Sequence, residues 1–579
     1  MTIAVHWRSG SVPSEILTLN SHAPSGNSSF ESAPVPFFPL PLFVVAAVSF
    51  AVIVPFFFLG NPSGHDFEFH LLSWMEVLAQ WKRGILLPRW AGFAHWGYGE
   101  ARFLFYPPAS WVFGALLASL LPWKIVPGAF IWCALTGSGC AMFALARQWL
   151  SRADAVFAAA LYAANPYTIV VVYWRSALAE LLAALLFPLL LLFVVRSESA
   201  GPRAIIPLGL IVAAAWLTNV PAAVLLTYSL ALLATTAALF TANRRVLLYP
   251  AAGLMLGAAL AAFYLLPVLH EQSWVRIGDV LTPGFRPQDN FLFSRMGDPD
   301  HDHFNLLVSV VGTTELIVLA LAAWIARRWR IDHRRPWTLF AAWAVGVTFF
   351  LLPVTAVFWR TLPELQYVQF PWRWLLCLNV PFAILAALAF PSWRPRLVLC
   401  LAMFVVLWTV WHRVQQPWWD QAADIQEMHD FIADGGGYEG SDEYVPAGVD
   451  PGAINKNAPQ VAVVGRGRAN IRMLDWSVQS KRFTAEVDRP EKLRLRLFNY
   501  PAWRVEVNGV PIDAKSQPRT GEILVPLDTG ISEVRVRFVR TPDRTLGGAV
   551  SIVTALLVGA WMWNRYRSKT AINKLSATS

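Results

Sequence analysis

The sequence predicts an all-α polytopic membrane protein of about 12–13 transmembrane helices, with an extracytoplasmic β-sandwich-like domain before the last helix. Three observations predict it. The chain of 579 residues is 56% hydrophobic and only 15% charged, against roughly one quarter charged in soluble proteins, and its mean hydropathy is +0.45. Apolar runs recur at about the 20 residues that a bilayer crossing needs. Period-2 alternation, the mark of half-buried strands, is confined to one polar stretch near the C-terminus.

Residues 1–35, rich in Ser, Pro and Asn, read as a disordered cytoplasmic N-terminus. The apolar run that follows is too long for a cleavable signal peptide and reads as a first anchor, 37–59. A polar loop, 60–108, comes next, then an apolar segment at 109–121 that is short for a crossing. Further spans are expected near 125–147, 153–172, 178–195, 204–220, 221–240, 247–270, 304–326, 337–357, 372–390, 397–412 and 546–563.

Orientation follows from the basic residues, which collect in cytoplasmic loops. Six clusters (Arg147 and Arg152; Arg196 and Arg203; Arg244 and Arg245; Arg327 through Arg335; Arg394 and Arg396; Arg565 and Arg567) share one side if 109–121 enters the membrane without crossing it. Lys82 and Arg83 are the exception. On this reading there are twelve crossings with both termini cytoplasmic, and the segments 60–108, around Tyr173–Glu180, 271–303, 358–371 and 413–543 lie outside. The resulting domains are a transmembrane unit over 36–412, a mainly-β unit over 413–543, and a final helix with a cytoplasmic tail over 544–579. In the β unit, Leu493-Arg-Leu-Arg-Leu497 and Val534-Arg-Val-Arg-Phe538 alternate, and Asn508-Gly509 is a tight hairpin turn.

The net charge of +10 does not imply nucleic acid, because the basic residues sit in short clusters between apolar runs. Cys133, Cys140, Cys377 and Cys400 all lie in apolar segments, so no disulfide framework is implied.

Polar chemistry has few places in so apolar a chain, and 64–108 is the leading one. Leu71, Leu72, Met75 and Leu78 recur at helical spacing, which predicts a helix along the membrane surface. Asp66 and His70, four apart, share its face. Asp66 reads equally as a general base, a metal ligand or the helix cap. Glu68 belongs to the same acidic run. Arg89, Arg102 and Tyr106 follow in the loop; the arginines suit a phosphate as well as they suit snorkelling to headgroups. Arg175 and Glu180 sit at the mouth of a span, where ionisable groups are costly, and either pair with each other or face a ligand. Arg373 ends another span beside Phe370-Pro-Trp. The run Asp298, Asp300, His301, Asp302 and His303 has oxygen and nitrogen donors suited to a divalent cation, and is equally a solvated loop. Gly435-Gly-Gly437 lacks the context of a phosphate loop.

Taken in order, Gly84, Pro88-Arg-Trp90, Gly97 and Tyr106-Pro-Pro108 after an anchor resemble the first outer loop of the GT-C glycosyltransferase superfamily. Arg175-Ser-Ala-Leu-Ala-Glu180, Asp302-His-Phe304, Phe370-Pro-Trp-Arg373 and Asp442-Glu-Tyr-Val-Pro446 resemble motifs of bacterial membrane proteins described as 6-pyruvoyl-tetrahydropterin synthase-related and of YfhO type. Asn499-Tyr-Pro-Ala-Trp503 with Asn508-Gly509 is similar to the outer β domain of the latter. The resemblance implies a cell-envelope enzyme of the bacterial inner membrane, with its active site and β domain facing the periplasm. It would take sugar from a polyprenyl-phosphate carrier and pass it to an envelope glycan, lipid or protein. Asp66, with Glu68 and His70, would stand at the catalytic position. Arg89, Arg102, Tyr106, Arg175, Glu180, Arg373 and Glu443 would bind substrate or phosphate, and Asp66 and His303 would meet a Mg²⁺ or Mn²⁺ ion. The single residue Phe67 between Asp66 and Glu68 points the two acids apart on a helix, so only one of them acts. A flippase of lipid-linked saccharides and a non-catalytic envelope scaffold are the alternatives; the first wants charge at the bilayer midplane and internal repeats, which this chain lacks.

Overall fold

A computed structural model describes residues 39–241 and 244–576. The segment expected to be disordered, 1–35, lies outside the described residues. Among the described residues, ten helices are long and apolar enough to cross a membrane, and two further bent pairs bring the number to twelve if each is one span. The chain is a polytopic membrane protein with a β-sheet region before its final helix.

Burial separates the helices into a centre and a periphery. Pro371–Ala389 is 94% buried inside the bundle, whereas Leu40–Leu59, Trp393–Arg413 and Pro542–Arg567 are buried over only 17%, 17% and 11%. Outward residues of the peripheral helices, such as Phe43, Phe404, Leu556 and Leu557, are large and apolar, the surface that lipid solvates without cost. The helix Pro108–Leu120 is apolar but has only 13 residues, about 20 Å of rise.

Two expected crossings are broken. The run near 247–270 forms Leu248–Leu260 and Ala262–Trp274, bent by 76°, and the run near 337–357 forms Arg334–Phe350 and Pro353–Thr361, bent by 85°. In the second, Pro353 starts the new helix and forces Leu352 into an extended conformation (φ −98°, ψ 140°), as the residue before a proline prefers.

The first loop also departs from expectation. Its helix Phe67–Lys82 does not lie open on a surface: ten of its 16 residues are buried. Trp74 stacks on Phe130 with ring centroids 5.0 Å apart. Segment 413–460 is outside the two large sheets; its one short strand, Trp419–Asp420, pairs with Asn61–Pro62 of the first loop. It supplies the helix Ala422–Ala433, whose Ile425 and Ile432 join the core of the helical bundle, as does Tyr438 beyond it.

The two larger sheets begin at Val461. One antiparallel sheet runs Val461–Val463, Glu491–Phe498, Glu522–Leu527, Lys515–Ser516, and another runs Ala469–Trp476, Ser480–Val487, Gly530–Phe538, Trp503–Val507, Val510–Ile512. The expected alternation holds: Leu493, Leu495, Leu497, Val534 and Val536 point into one buried cluster while the intervening arginines point out. Asn508 and Gly509 turn the hairpin between Trp503–Val507 and Val510–Ile512 with φ of 52° and 80°, the left-handed pair that such a turn requires. Glu271 anchors this region to the bundle, taking both Nε and Nη2 of Arg544 at 2.7 Å and the Tyr500 hydroxyl at 2.5 Å.

Candidate functional site

The site begins where a helix unwinds. Helical geometry widens to a π-turn over Val171–Arg175, and Ser176 then takes the left-handed conformation (φ 47°). Unwinding frees backbone acceptors, and the segment after the first anchor uses them. His65 N–H donates to the Trp174 carbonyl at 3.3 Å, Asp66 N–H to the Arg175 carbonyl at 2.9 Å, and Gly64 N–H to the Ser176 hydroxyl at 3.0 Å. Gly64 permits this approach, because a Cβ there would lie 2.4 Å from the Trp174 oxygen. Asp66 is thereby held against Arg175 by main chain, and its Oδ2 accepts from Arg175 Nη2 at 2.8 Å.

A second ion pair stands beside the first. Arg373 Nε donates to Glu180 Oε2 at 3.1 Å, and the Tyr167 hydroxyl donates to Glu180 Oε1 at 2.5 Å. The acid and the arginine do not pair within Arg175–Glu180, as their closeness in sequence allows; each takes a partner from elsewhere. Phe370 and Trp372 stack on each other at 4.7 Å, and the Arg175 guanidinium lies 5.0 Å from both ring centroids. Arg175 is 3% exposed and its Nη1 has no hydrogen-bond partner among the described residues.

These groups line a cavity of about 740 Å³. It brings together Asp66, His70, Tyr106, Arg175, Glu180, Arg373 and Glu443 of the residues expected from sequence. It also includes Asp298, Asp300 and His301 of the polar run, and residues that sequence reasoning passed over: His65, Phe370, Trp372 and Tyr444. Position was the available signal for His65, which adjoins Asp66.

Electrostatics sets the protonation states. Burial alone would raise the Asp66 carboxyl, but Arg175, with His70 and Arg373 behind it, holds it below the usual range. Desolvation by the surrounding protein, then the charge of Arg175, brings His65 down to about 4. Burial brings His70 to about 4 as well, against the opposing pull of Asp66. Both imidazoles are therefore neutral at pH 7. Burial raises Glu443 to about 7 and pushes the Tyr106 phenol up, so the phenol stays protonated.

Four expected site residues lie elsewhere. Glu68 is exposed and does not line the cavity; one residue of separation turns it about 200° from Asp66 around the helix. Arg102 is 2% exposed and committed to structure: its Nε donates to Glu100 at 2.5 Å and its guanidinium covers the Phe69 ring at 4.3 Å. Arg89 sits in the field of Arg544 and Glu271, where burial brings it down to about 10. His303 is outside the lining, although His301 is within it. Among the described residues no three His, Cys, Asp or Glu side chains converge to hold a metal ion. Asp66 is moreover occupied by Arg175, so the expected Asp66–His303 ligand role has no donor set behind it.

No family model and no curated protein matches this chain. Fold and site define a class: a multi-pass membrane protein whose helix ends enclose a large cavity lined by two neighbouring ion pairs and stacked aromatic rings.

Proposed function

We propose that the protein is a GT-C-type glycosyltransferase of the bacterial inner membrane. It transfers a sugar from a polyprenyl-phosphate carrier to an acceptor in the cell envelope, with the cavity and the β region facing outward. The Asp66–Arg175 pair, with its unpartnered Nη1, carries this reading. An arginine fork suits a phosphate oxyanion, and a carboxylate beside it can take a proton from a hydroxyl.

In the proposed reaction the acceptor oxygen bonds to the anomeric carbon and its proton passes to Asp66. The bond from that carbon to the phosphate oxygen breaks, and the lipid phosphate leaves with the electron pair. Arg175 and Arg373 stabilise the charge that gathers on the leaving oxygen. Paired with Arg175, Asp66 is a weak base; a substrate phosphate that engages Arg175 restores its basicity by cancelling the neighbouring charge. The neutral imidazoles of His65 and His70 add no charge that would compete.

The test is Asp66→Asn, assayed in membranes for transfer of labelled sugar from a polyprenyl-phosphate donor. Transfer falls to background while protein level in the membrane is unchanged; normal transfer by the variant removes the assignment. Mass spectrometry of envelope glycans from a deletion strain then identifies the sugar that goes missing.

A further inference from the structure

Behind the cavity wall lies a second pocket of about 350 Å³. The Leu365–Val368 turn separates the two: Tyr367 and Gln369 line the main cavity, while Gln366 lines the second pocket. The pocket also borders the second half of a bent helix pair, Pro353–Thr361, turned 85° from its preceding helix. Its residues Val354, Val357 and Phe358 are 75%, 54% and 38% exposed. A short helix turned across a span, with apolar side chains outward, has the geometry of a membrane–water boundary.

The lining combines apolar Leu281, Pro287, Phe291 and Ala356 with two arginines and two glutamines. Arg360 is exposed and has no ion-pair partner among the described residues, and Arg286 spends Nε on Asp289 at 3.0 Å, leaving its terminal nitrogens. Gln288 and Gln366 contribute amides. Trp359, 1% exposed, lines the pocket, and its buried Nε1–H has no acceptor among the described residues. A buried donor without an acceptor is costly. Two arginines, a tryptophan and two glutamines among the residues lining one small volume supply donors suited to an oxyanion.

We propose that this pocket binds the phosphate of an anionic phospholipid headgroup whose acyl chains lie along the exposed face of Val354, Val357 and Phe358. The site is separate from the main cavity and does not depend on the reaction assigned there. The full chain, purified in detergent and stripped of lipid, is titrated by native mass spectrometry with dioctanoyl-phosphatidylglycerol, dioctanoyl-phosphatidylcholine and inorganic phosphate. The anionic lipid binds at least tenfold more tightly than the zwitterionic one. Arg360→Gln, at an exposed position, weakens it about tenfold; Trp359→Phe weakens it about threefold, and Lys82→Gln, outside the pocket lining, has no effect. Inorganic phosphate that binds with the same Arg360 dependence, while the lipid does not, assigns the oxyanion site to a soluble anion instead. Equal lipid binding by wild type and Arg360→Gln, or equal weakening by Lys82→Gln, overturns the proposal.

Discussion

Glu180 holds one half of the cavity's charge arrangement, and its replacement by Gln tests the arrangement directly. The side chain is 2% exposed, accepting from Arg373 on one oxygen and from Tyr167 on the other. An amide of the same shape has only one acceptor atom. With its oxygen toward Arg373, its NH₂ faces the Tyr167 hydroxyl, which turns to accept; Arg373, 8% exposed at its side chain, loses its counter-charge. Removing one partner of a buried pair costs about 3–5 kcal/mol, and an amide that still bonds both Arg373 and Tyr167 places Glu180→Gln at the lower end of that range. Arg373→Gln strands the carboxylate and costs a comparable amount. The double variant leaves no unpaired charge, so it costs less than the sum, with a coupling of about 2 kcal/mol. Unfolding in mixed dodecyl sulfate and detergent micelles, followed by far-ultraviolet circular dichroism, gives the four stabilities. A coupling below about 0.5 kcal/mol would show that the two residues do not sense each other, and the two-pair description of the site would fall.

Asp66→Asn, besides losing transfer, releases Arg175 from its pair; with Asp66 37% exposed at its side chain the pair is worth at most about 1 kcal/mol. A lipid-phosphate product therefore binds the variant up to about fivefold more tightly in a direct binding measurement, and weaker binding contradicts the role given to Arg175. Gly64→Ala drives a methyl against the Trp174 carbonyl and displaces Asp66; transfer drops at least tenfold in membrane assays while expression persists. Gly114→Ala places a methyl about where the Trp74 ring stands and lowers stability by about 1–3 kcal/mol, with partial recovery in Trp74→Leu; equal losses in single and double variants argue against the contact. Burial raises Glu76 from 4.5 to about 7, so its stabilising contribution is complete below pH 4.5 and is lost as pH rises to 7, roughly 3 kcal/mol in all. Glu76→Gln flattens that part of the pH–stability curve, and an unchanged slope rejects the assignment.

How far the fold could be read from sequence depended on whether the signal was local. Apolar length located the spans, and the alternation of Leu493, Leu495 and Leu497 located a strand, because both are properties of a single segment. Pro353 carried a local signal for one bend, since proline removes a helical donor and restricts its neighbour. Nothing in the alanine run around Ala261 marks the other. The site residues divide the same way. Span-end charges such as Arg175 and Arg373 stood out because the membrane penalises them unless they have a use. Arg89 and Arg102 stood out equally, yet Arg102 is absorbed by Glu100, Ser73, Phe69 and Tyr438, a cage assembled from three separate stretches. An arginine's type announces that it needs a partner. The chain's path decides whether that partner is an acid of the protein or an anion from outside.

That distinction also governs the proposed chemistry. Asp66 with Arg175 and Glu180 with Arg373 make two pairs that sum to zero charge, and the nearby imidazoles are neutral, so this wall of the cavity attracts anions only weakly at long range. Recognition then has to be local. A phosphate gains by meeting the unused Nη1 of Arg175 and by sharing a guanidinium that already has a carboxylate, while stacked Phe370 and Trp372 present an apolar face beside it. A group that combines one phosphate with apolar or ring-shaped neighbours satisfies both features, whereas a free inorganic anion satisfies only the first. The same sharing couples binding to basicity, because charge taken from Arg175 by the donor is charge no longer lowering the proton affinity of Asp66. A carboxylate that becomes a base only when the phosphate is in place is protected from idle protonation in the empty cavity.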